Sequence, residues 1–528
     1  MTATTATSPT PWLSVAARRS LVRWIAPVIG LGVVVALWIV GGRAGWADGM
    51  IVTPAEAVEP IVSDDSRDLY LRATAATAWS ALRGLAIGGT LAFLAALLTA
   101  TVPALRRAIS RLAAIANSAP WVAVAPCLLV ILGRDRGPTA VAALAVFFYV
   151  FTATTVGLAA APPAAHDVLA ALGARRSMRV RTVQLPACWP SVMDGLKLAA
   201  PAALAGAIFG EWYGAERGLG VLLIGAMQSG RAERLWAASL ISAACGLLAF
   251  AFFAGLRRLL VGRFGASIIR SDEPVRRRRP VSAVLELLTV IVLGAAMVAA
   301  WWAWIELADI SPLVVPRPGR VWDDLVAAPG DYLAATGATL LTAAIALVLG
   351  VLVGAAAATL ASRSRVLAGG VVPIIVVLAA TPLVALLPLF ARIFGYEPTT
   401  VRYLAAAMVF FPVFVYTRSG LAATAATAVD ALDAMGASTG RRFRLLTAPG
   451  AVPHLASGIR VAAGSAIIAA VVGESLIGSD GLGVEFSLAY RQLELPRAFG
   501  AAIVIVVVSV LVFALAGAME RAVHSRWS

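Results

Sequence analysis

The sequence predicts an all-α, polytopic membrane protein of about twelve transmembrane helices, built as two parallel six-helix repeats. Three observations carry this. Of its 528 residues, 60% are hydrophobic and only 13% charged, where a soluble domain carries about 25% charge. The apolar residues gather in runs of about 20, long enough to cross a hydrocarbon core as helices. Landmark residues of the first half recur in the second at a nearly constant spacing, the mark of an internal repeat.

The runs place spans at 22–41, 79–101, 108–132, 138–160, 197–213 and 235–257, then at 283–306, 333–360, 366–393, 400–422, 456–476 and 498–518. No small-residue cleavage site follows the first run, so Ile25 to Val40 reads as a retained span rather than a signal peptide. The net charge of +15 comes from arginines clustered between spans. Arg18, Arg19 and Arg23 precede span one; Arg106, Arg107 and Arg111 follow span two; Arg175, Arg176, Arg179 and Arg181 follow span four; Arg257, Arg258, Arg263 and Arg276 to Arg279 follow span six. Arg363 and Arg365, then Arg441, Arg442 and Arg444, then Arg521 and Arg526 repeat the series. The alternate loops are acidic, with Glu56, Glu59, Asp64, Asp65 and Asp68, later Asp309, Asp323, Asp324 and Asp331. This alternation puts both termini in the cytoplasm and explains the basic balance without nucleic acid. Segment 271–282, with its run of arginines, reads as a solvated cytoplasmic linker between a first repeat (1–270) and a second (283–528).

The repeat is countable. Pro120 and Pro382 stand 262 residues apart, as do Pro126 and Pro388, and Gly133 and Gly395. After one added residue the spacing is 263 for Phe147 and Phe410, Gly157 and Gly420, Gly173 and Gly436, Pro186 and Pro449, Glu211 and Glu474, and Gly220 and Gly483. Six spans is an even number, so the second copy keeps the orientation of the first, and the pair encloses a central path.

The basic loop after each fourth span is the most informative segment. Loop 167–186 reads Asp167, Ala170, Ala171, Gly173, nine residues, Val183, then Leu185 and Pro186; loop 430–449 reads Asp430, Ala431, Ala434, Gly436, nine residues, then Leu446 and, three on, Pro449. The expected structure is a short helix with alanine on one face, a glycine turn, a basic helix, and a proline that stops it before the next span. Span three carries Pro120, Ala123 and Pro126, and its twin carries Pro382, Ala385 and Pro388. Such prolines bend a span where protein or a water-filled cavity satisfies the freed carbonyls, so these six residues are candidates for the path. After span five come Glu211, Gly218 and Gly220, matched by Glu474, Gly481 and Gly483. A carboxylate at the outer membrane boundary is a functional candidate, here read as the anchor of a re-entrant glycine loop.

These loops resemble the EAA loop of the membrane subunits of bacterial ABC importers, E-A-A-x3-G-x9-I-x-L-P. Asp167 and Asp430 take the glutamate place; Val168 and Leu169 replace both alanines of the first copy, Leu432 one of the second, and Ala448 stands where leucine is expected. The span-three prolines, Phe147-Phe148 and Phe410-Phe411, and the two E-x6-GLG segments are similar to permeases of the nitrate/sulfonate/taurine group, which also takes in bicarbonate and thiamine-precursor importers. The resemblance implies a type I importer permease in a bacterial plasma membrane, with two permease domains in one chain. It implies two ABC ATPase subunits docked on the loops, an extracytoplasmic solute-binding protein on the outer side, and an oxyanion or organosulfonate substrate. A thiamine-type pyrimidine precursor is the alternative, and a twelve-span secondary transporter a more distant one. Membrane lipid surrounds the chain.

The sequence offers no catalytic constellation. His166, His454 and His524 stand apart; Cys127, Cys188 and Cys245 lie at no metal-ligand spacing. Lys197 is the only lysine and lies outside any Gly-Lys-Ser/Thr phosphate loop, so no ATPase, bound cofactor or metal is expected here; ATP belongs to the partner.

Overall fold

The computed structural model describes residues 12–46, 49–102, 121–263, 283–312, 315–363, 375, 383–424, 426–478 and 480–527. The predicted linker, Pro120 and Pro382 lie outside them. The described residues of the first half form α1 (Trp12–Arg43), α2 (Pro54–Val62), α3 (Asp64–Thr101), α4 (Trp121–Ala159), α5 (Pro163–Ala171), α6 (Arg176–Arg179), α7 (Leu185–Trp212), α8 (Leu219–Ser229) and α9 (Ala232–Arg263). The second half repeats the order: α10 (Ala283–Leu307), α11 (Pro318–Ala327), α12 (Pro329–Arg363), α13 (Leu383–Phe394), α14 (Pro398–Ala422), α15 (Ala426–Ala434), α16 (Thr439–Arg442), α17 (Ala448–Ile477), α18 (Leu482–Arg491) and α19 (Leu495–Trp527).

Eight helices among the described residues are long and apolar enough to cross a membrane. They correspond to the predicted second, fourth, fifth and sixth spans of each half. Helices α1 and α10 cover the two predicted first spans. Of the predicted third spans, residues 121–132 and 383–393 are helical; much of the remainder lies outside the described residues. Fully helical spans follow from the solvent: a bilayer core offers no water to unpaired backbone groups, so each span closes its own hydrogen bonds.

Local chemistry sets the helix ends. Thr53 and Glu56 form a reciprocal cap at the start of α2, with Thr53 N donating to Glu56 Oε2 at 2.7 Å and Glu56 N to Thr53 Oγ1 at 3.4 Å. Asp64 and Asp65 open α3, where negative charge meets the positive end of the helix dipole. The chain between the third and fourth spans breaks at glycine rather than at proline. Gly133 holds φ 80° and ψ 169° inside α4, and Gly395 holds φ 87° just after α13, while Pro126 and Pro388 sit within helical segments.

In each half the second, fourth and fifth spans form one tightly packed bundle (α3, α4 and α7; α12, α14 and α17), with the sixth span against the fifth. Small residues allow the approach, as expected where helices associate by van der Waals packing in lipid. A Cβ on Gly88 of α3 would stand 2.8 Å from Ala143 Cα of α4, and one on its counterpart Gly350 would collide with Val409 of α14. The first spans are pinned alike: Trp38 stacks on Trp236 at 5.1 Å and Trp301 on Phe499 at 5.7 Å between ring centroids. The halves meet through α13 and α4. Helix α13 packs on α7, α8 and α9, and α4 packs on α17, α18 and α19. One core cluster, containing Phe209, Leu219 and Leu387 together with Ile467, Leu482 and Phe486, runs through both halves.

Two substitutions test this packing. Gly88→Ala should lower the thermal midpoint of the purified protein, by about 1–3 kcal/mol of overpacking. Gly89→Ala should be tolerated, because its nearest neighbour is Leu196 at 4.0 Å. Equal midpoints for the two variants would refute the close approach of α3 and α4.

Candidate functional site

The predicted loops form two elbows of matching backbone. Helix α5 leads to Gly173 and helix α15 to Gly436, both at φ +71°. Gly173 N donates to Ala170 O at 3.0 Å and Ala174 N to Leu169 O at 2.9 Å; in the second elbow Gly436 N donates to Asp433 O and Ala437 N to Leu432 O, both at 3.0 Å. This is the bond pattern that closes a helix on a left-handed residue, which glycine adopts without a Cβ penalty. Asp167, Ala170, Ala171, Asp430, Ala431 and Ala434 are exposed on the short helices, while Leu185, Leu446 and Pro449 are half-buried and Pro186 is exposed. Each elbow carries an apolar side chain next to its glycine: Leu172 is 76% exposed and Met435 73%.

Pro186 and Pro449 do not stop the basic helices, contrary to expectation. Helices α6 and α16 pass through single π-turns, Val180–Gln184 and Phe443–Thr447, straight into α7 and α17. Leu185 N bonds to Val180 O and Ala448 N to Phe443 O, five residues back. The wider turn makes room for a proline ring that would meet the carbonyl four residues earlier in a regular α-helix. Each elbow is therefore the projecting end of a fifth span, one rigid rod of 37 residues in the first half and 39 in the second. The fifth spans are longer than the predicted 197–213 and 456–476 for this reason.

At the far end of these rods sit Glu211 and Glu474, 2% and 3% exposed. Glu211 Oε2 accepts from Thr77 Oγ1 at 3.0 Å and from Gly220 N at 2.8 Å, and Leu219 N donates to Thr77 Oγ1 at 2.8 Å. Glu474 Oε2 accepts from Thr339 Oγ1 at 2.8 Å and from Gly483 N at 3.0 Å, and Leu482 N donates to Thr339 Oγ1 at 2.9 Å. A helix start leaves its first N–H groups unpaired, and an N-cap side chain usually supplies the acceptor. Here the cap positions are Gly218 and Gly481, at φ 140° and 112°, where an added Cβ would overlap the Glu211 and Glu474 carboxylates. The acceptors come instead from two other helices. Thr77 and Thr339 were missed by sequence reasoning; their only signal was recurrence at the repeat spacing of 262.

The two anchors lie where the halves touch. Tyr213 meets Tyr490 edge-on at 5.9 Å between ring centroids, and Phe209 packs on both Trp212 and Tyr213. Of the path candidates, Pro388 is buried; Ala123, Pro126 and Ala385 lie on helical segments.

The spanning helices also carry paired charges. Asp194 Oδ1 lies 3.0 Å from Lys197 Nζ and 2.9 Å from Arg257 Nε of α9. In the second half Ser457 stands at the Asp194 position, Arg460 at that of Lys197 and Glu520 at that of Arg257. Glu520 accepts from Ser457 Oγ at 2.6 Å and from Arg460 Nη1 at 2.7 Å. The carboxylate has moved from the fifth span to the sixth, and the pairing is kept.

The family model for the binding-protein-dependent transport system inner membrane component matches this chain twice, over residues 88–265 and 346–526. A probable ABC transporter permease protein of Haemophilus influenzae is 29% identical over 229 residues, 43% of this chain and 94% of the relative. A formylaminopyrimidine transport permease protein of Halalkalibacterium halodurans is 30% identical, over 35% of this chain and 74% of the relative. The taurine transport system permease protein of Escherichia coli is 29% identical, over 36% of this chain and 71% of the relative. Each relative aligns over most of its own length with less than half of this chain.

Thr77→Val and Thr339→Val remove the bridging hydroxyl and leave a buried N–H unpaired. Each should cost about 1–3 kcal/mol, read as a lower unfolding midpoint in detergent with insertion retained, and Thr→Ser should recover most of it. An unchanged midpoint for both valine variants would show that the carboxylates hold the turns alone.

Proposed function

The chain belongs to the family of binding-protein-dependent transport system inner membrane components, as a membrane-embedded ABC importer permease with two permease domains in one polypeptide, and from that premise we propose how its parts divide the work. The twelve-span secondary transporter loses its support with this assignment. The two elbows are the docking elements for a pair of separate ATPase subunits, which hydrolyse ATP and close on each other. The observation that carries this reading is the continuity of each elbow with a fifth span. Movement imposed at Gly173 or Gly436 is carried along a helix, at about 1.5 Å per residue, to the buried glutamate and the aromatic contact between the halves. Closure of the ATPases would thereby shift the seam that separates outward- from inward-open states.

The arginine clusters support a cytoplasmic position for the elbows and both termini. The glycine turns after Glu211 and Glu474 then face the outer side, where an extracytoplasmic binding protein delivers substrate. Pro126, Pro388 and their helices, which cross between the halves, are the candidate walls of the path. The substrate we favour is an oxyanion or organosulfonate, supported by the taurine permease of Escherichia coli and by a putative aliphatic sulfonates permease of Bacillus subtilis, 24% identical over 93% of its length. A second reading, a thiamine-type pyrimidine precursor, has a specific observation behind it: the formylaminopyrimidine permease matches at 30% identity.

Gly436→Asp tests the docking role. Gly436 holds φ +71°, a conformation costly for most side chains, and the new carboxylate would sit at the elbow's tip. The variant should reach the membrane in normal amount, lose co-purification of the ATPase and lose uptake by tenfold or more. Normal ATPase retention and uptake would contradict the assignment.

A further inference from the structure

The two elbows differ in one respect that their common backbone does not require. The second elbow neutralises its own arginine. Arg442 Nη1 reaches back across the Gly436 turn to both oxygens of Asp433, at 3.0 and 2.9 Å. The first elbow has the matching arginine, Arg179, but Ala170 stands where Asp433 would be. Arg179 meets no acceptor among the described residues, and its Nε is buried without a partner. Next to it, Arg176 donates Nε to Ala100 O at 2.7 Å, which fixes its guanidinium beside the end of α3. A cavity of about 190 Å³ opens between Arg176, Arg179, Val180 and Gln184. Across 163–184 the first elbow sets four arginines against one aspartate; across 426–447 the second sets three against two.

We propose that Arg179, at the edge of this cavity, receives a carboxylate side chain from the ATPase subunit, and that on the second elbow Asp433 supplies the matching partner to Arg442 from within the chain. This rests on the docking reading above. Asp433 shows where such a carboxylate sits: on the accessible side of the first short helix, with both oxygens on one guanidinium nitrogen of the arginine of the second. The cavity belongs to the same projecting element as the exposed Val168 and Leu172, 59% and 76% accessible. A protein that covers this apolar tip brings its own side chains to the arginines, whereas a lipid headgroup would leave the tip in water. Docking that covered Arg179 without supplying an anion would strand a desolvated charge, which is strongly unfavourable. The ATPase pair thus grips one elbow by an intermolecular ion pair and the other chiefly by apolar contact around Met435.

The test grafts the internal acid onto the first elbow. Ala170 is exposed, so Ala170→Asp should fold and would offer Arg179 the partner that Arg442 already has. Affinity of the full-length chain for its co-purifying ATPase is measured in detergent for wild type, Ala170→Asp, Ala170→Asn and Arg179→Gln. The proposal predicts that Ala170→Asp binds at least tenfold more weakly than Ala170→Asn, that Arg179→Gln is weakened comparably, and that wild-type binding falls steeply with salt. Equal affinities for the Asp and Asn variants would overturn it, as would intact ATPase binding by Ala170→Asp with loss only of a preference for phosphatidylglycerol over phosphatidylcholine bilayers. A wild-type chain that retains no ATPase would instead remove the docking reading and this proposal with it.

Discussion

A helix that begins in the packed interior of a protein must have its free N–H groups met by protein, because burial keeps water from them. Helices α8 and α18 begin this way, at glycines with no side chain to cap them. Much of the molecule's central geometry follows from how those donors are met. A threonine from the second span and a glutamate from the fifth converge on each turn, binding three elements at one point in each half. The glycine is then a requirement, since the carboxylate occupies the space of its Cβ. With both turns fixed, Tyr213 and Tyr490 are held in contact across the seam.

The duplication shows which constraints are strict. Backbone demands are kept in both copies: the positive φ of Gly173 and Gly436, the π-turn ahead of each proline and the stacked aromatic pair pinning each first span. Charge is held more loosely. An ion pair needs two signs in contact but not a particular owner for each, so Asp194 with Arg257 in one half can become Arg460 with Glu520 in the other. The same freedom lets Ala170 stand where the second half has Asp433. Divergence of the halves is thus written mainly in charge placement, over a backbone that has stayed alike.

Patterns set by the chain's own periodicity were legible in the sequence. Runs of apolar residues located most spans, the 262–263 spacing gave the internal repeat, and the loop and span motifs carried the importer-permease resemblance that the double family match bears out. Glycine and proline positions located the elbows, but their structural consequence was misread: proline ahead of a span suggested a stop, and only the register of the hydrogen bonds reveals a π-turn that carries the helix through. Thr77 and Thr339 were illegible for another reason. A threonine in an apolar run ordinarily bonds to its own helix, as Thr154 does to Val150, and nothing local distinguishes one whose partner lies 134 residues away. The ion-pair exchange between the halves is visible only when both copies are aligned and then placed in contact.

The central claim is that one copy of this chain supplies both halves of the permease and offers two docking elbows. Native mass spectrometry of the tagged chain, released from its membrane in mild detergent, tests this most directly. The account predicts a complex of one copy of this chain with two ATPase subunits. A complex containing two copies of this chain, or a chain that carries no ATPase under any detergent, would contradict it.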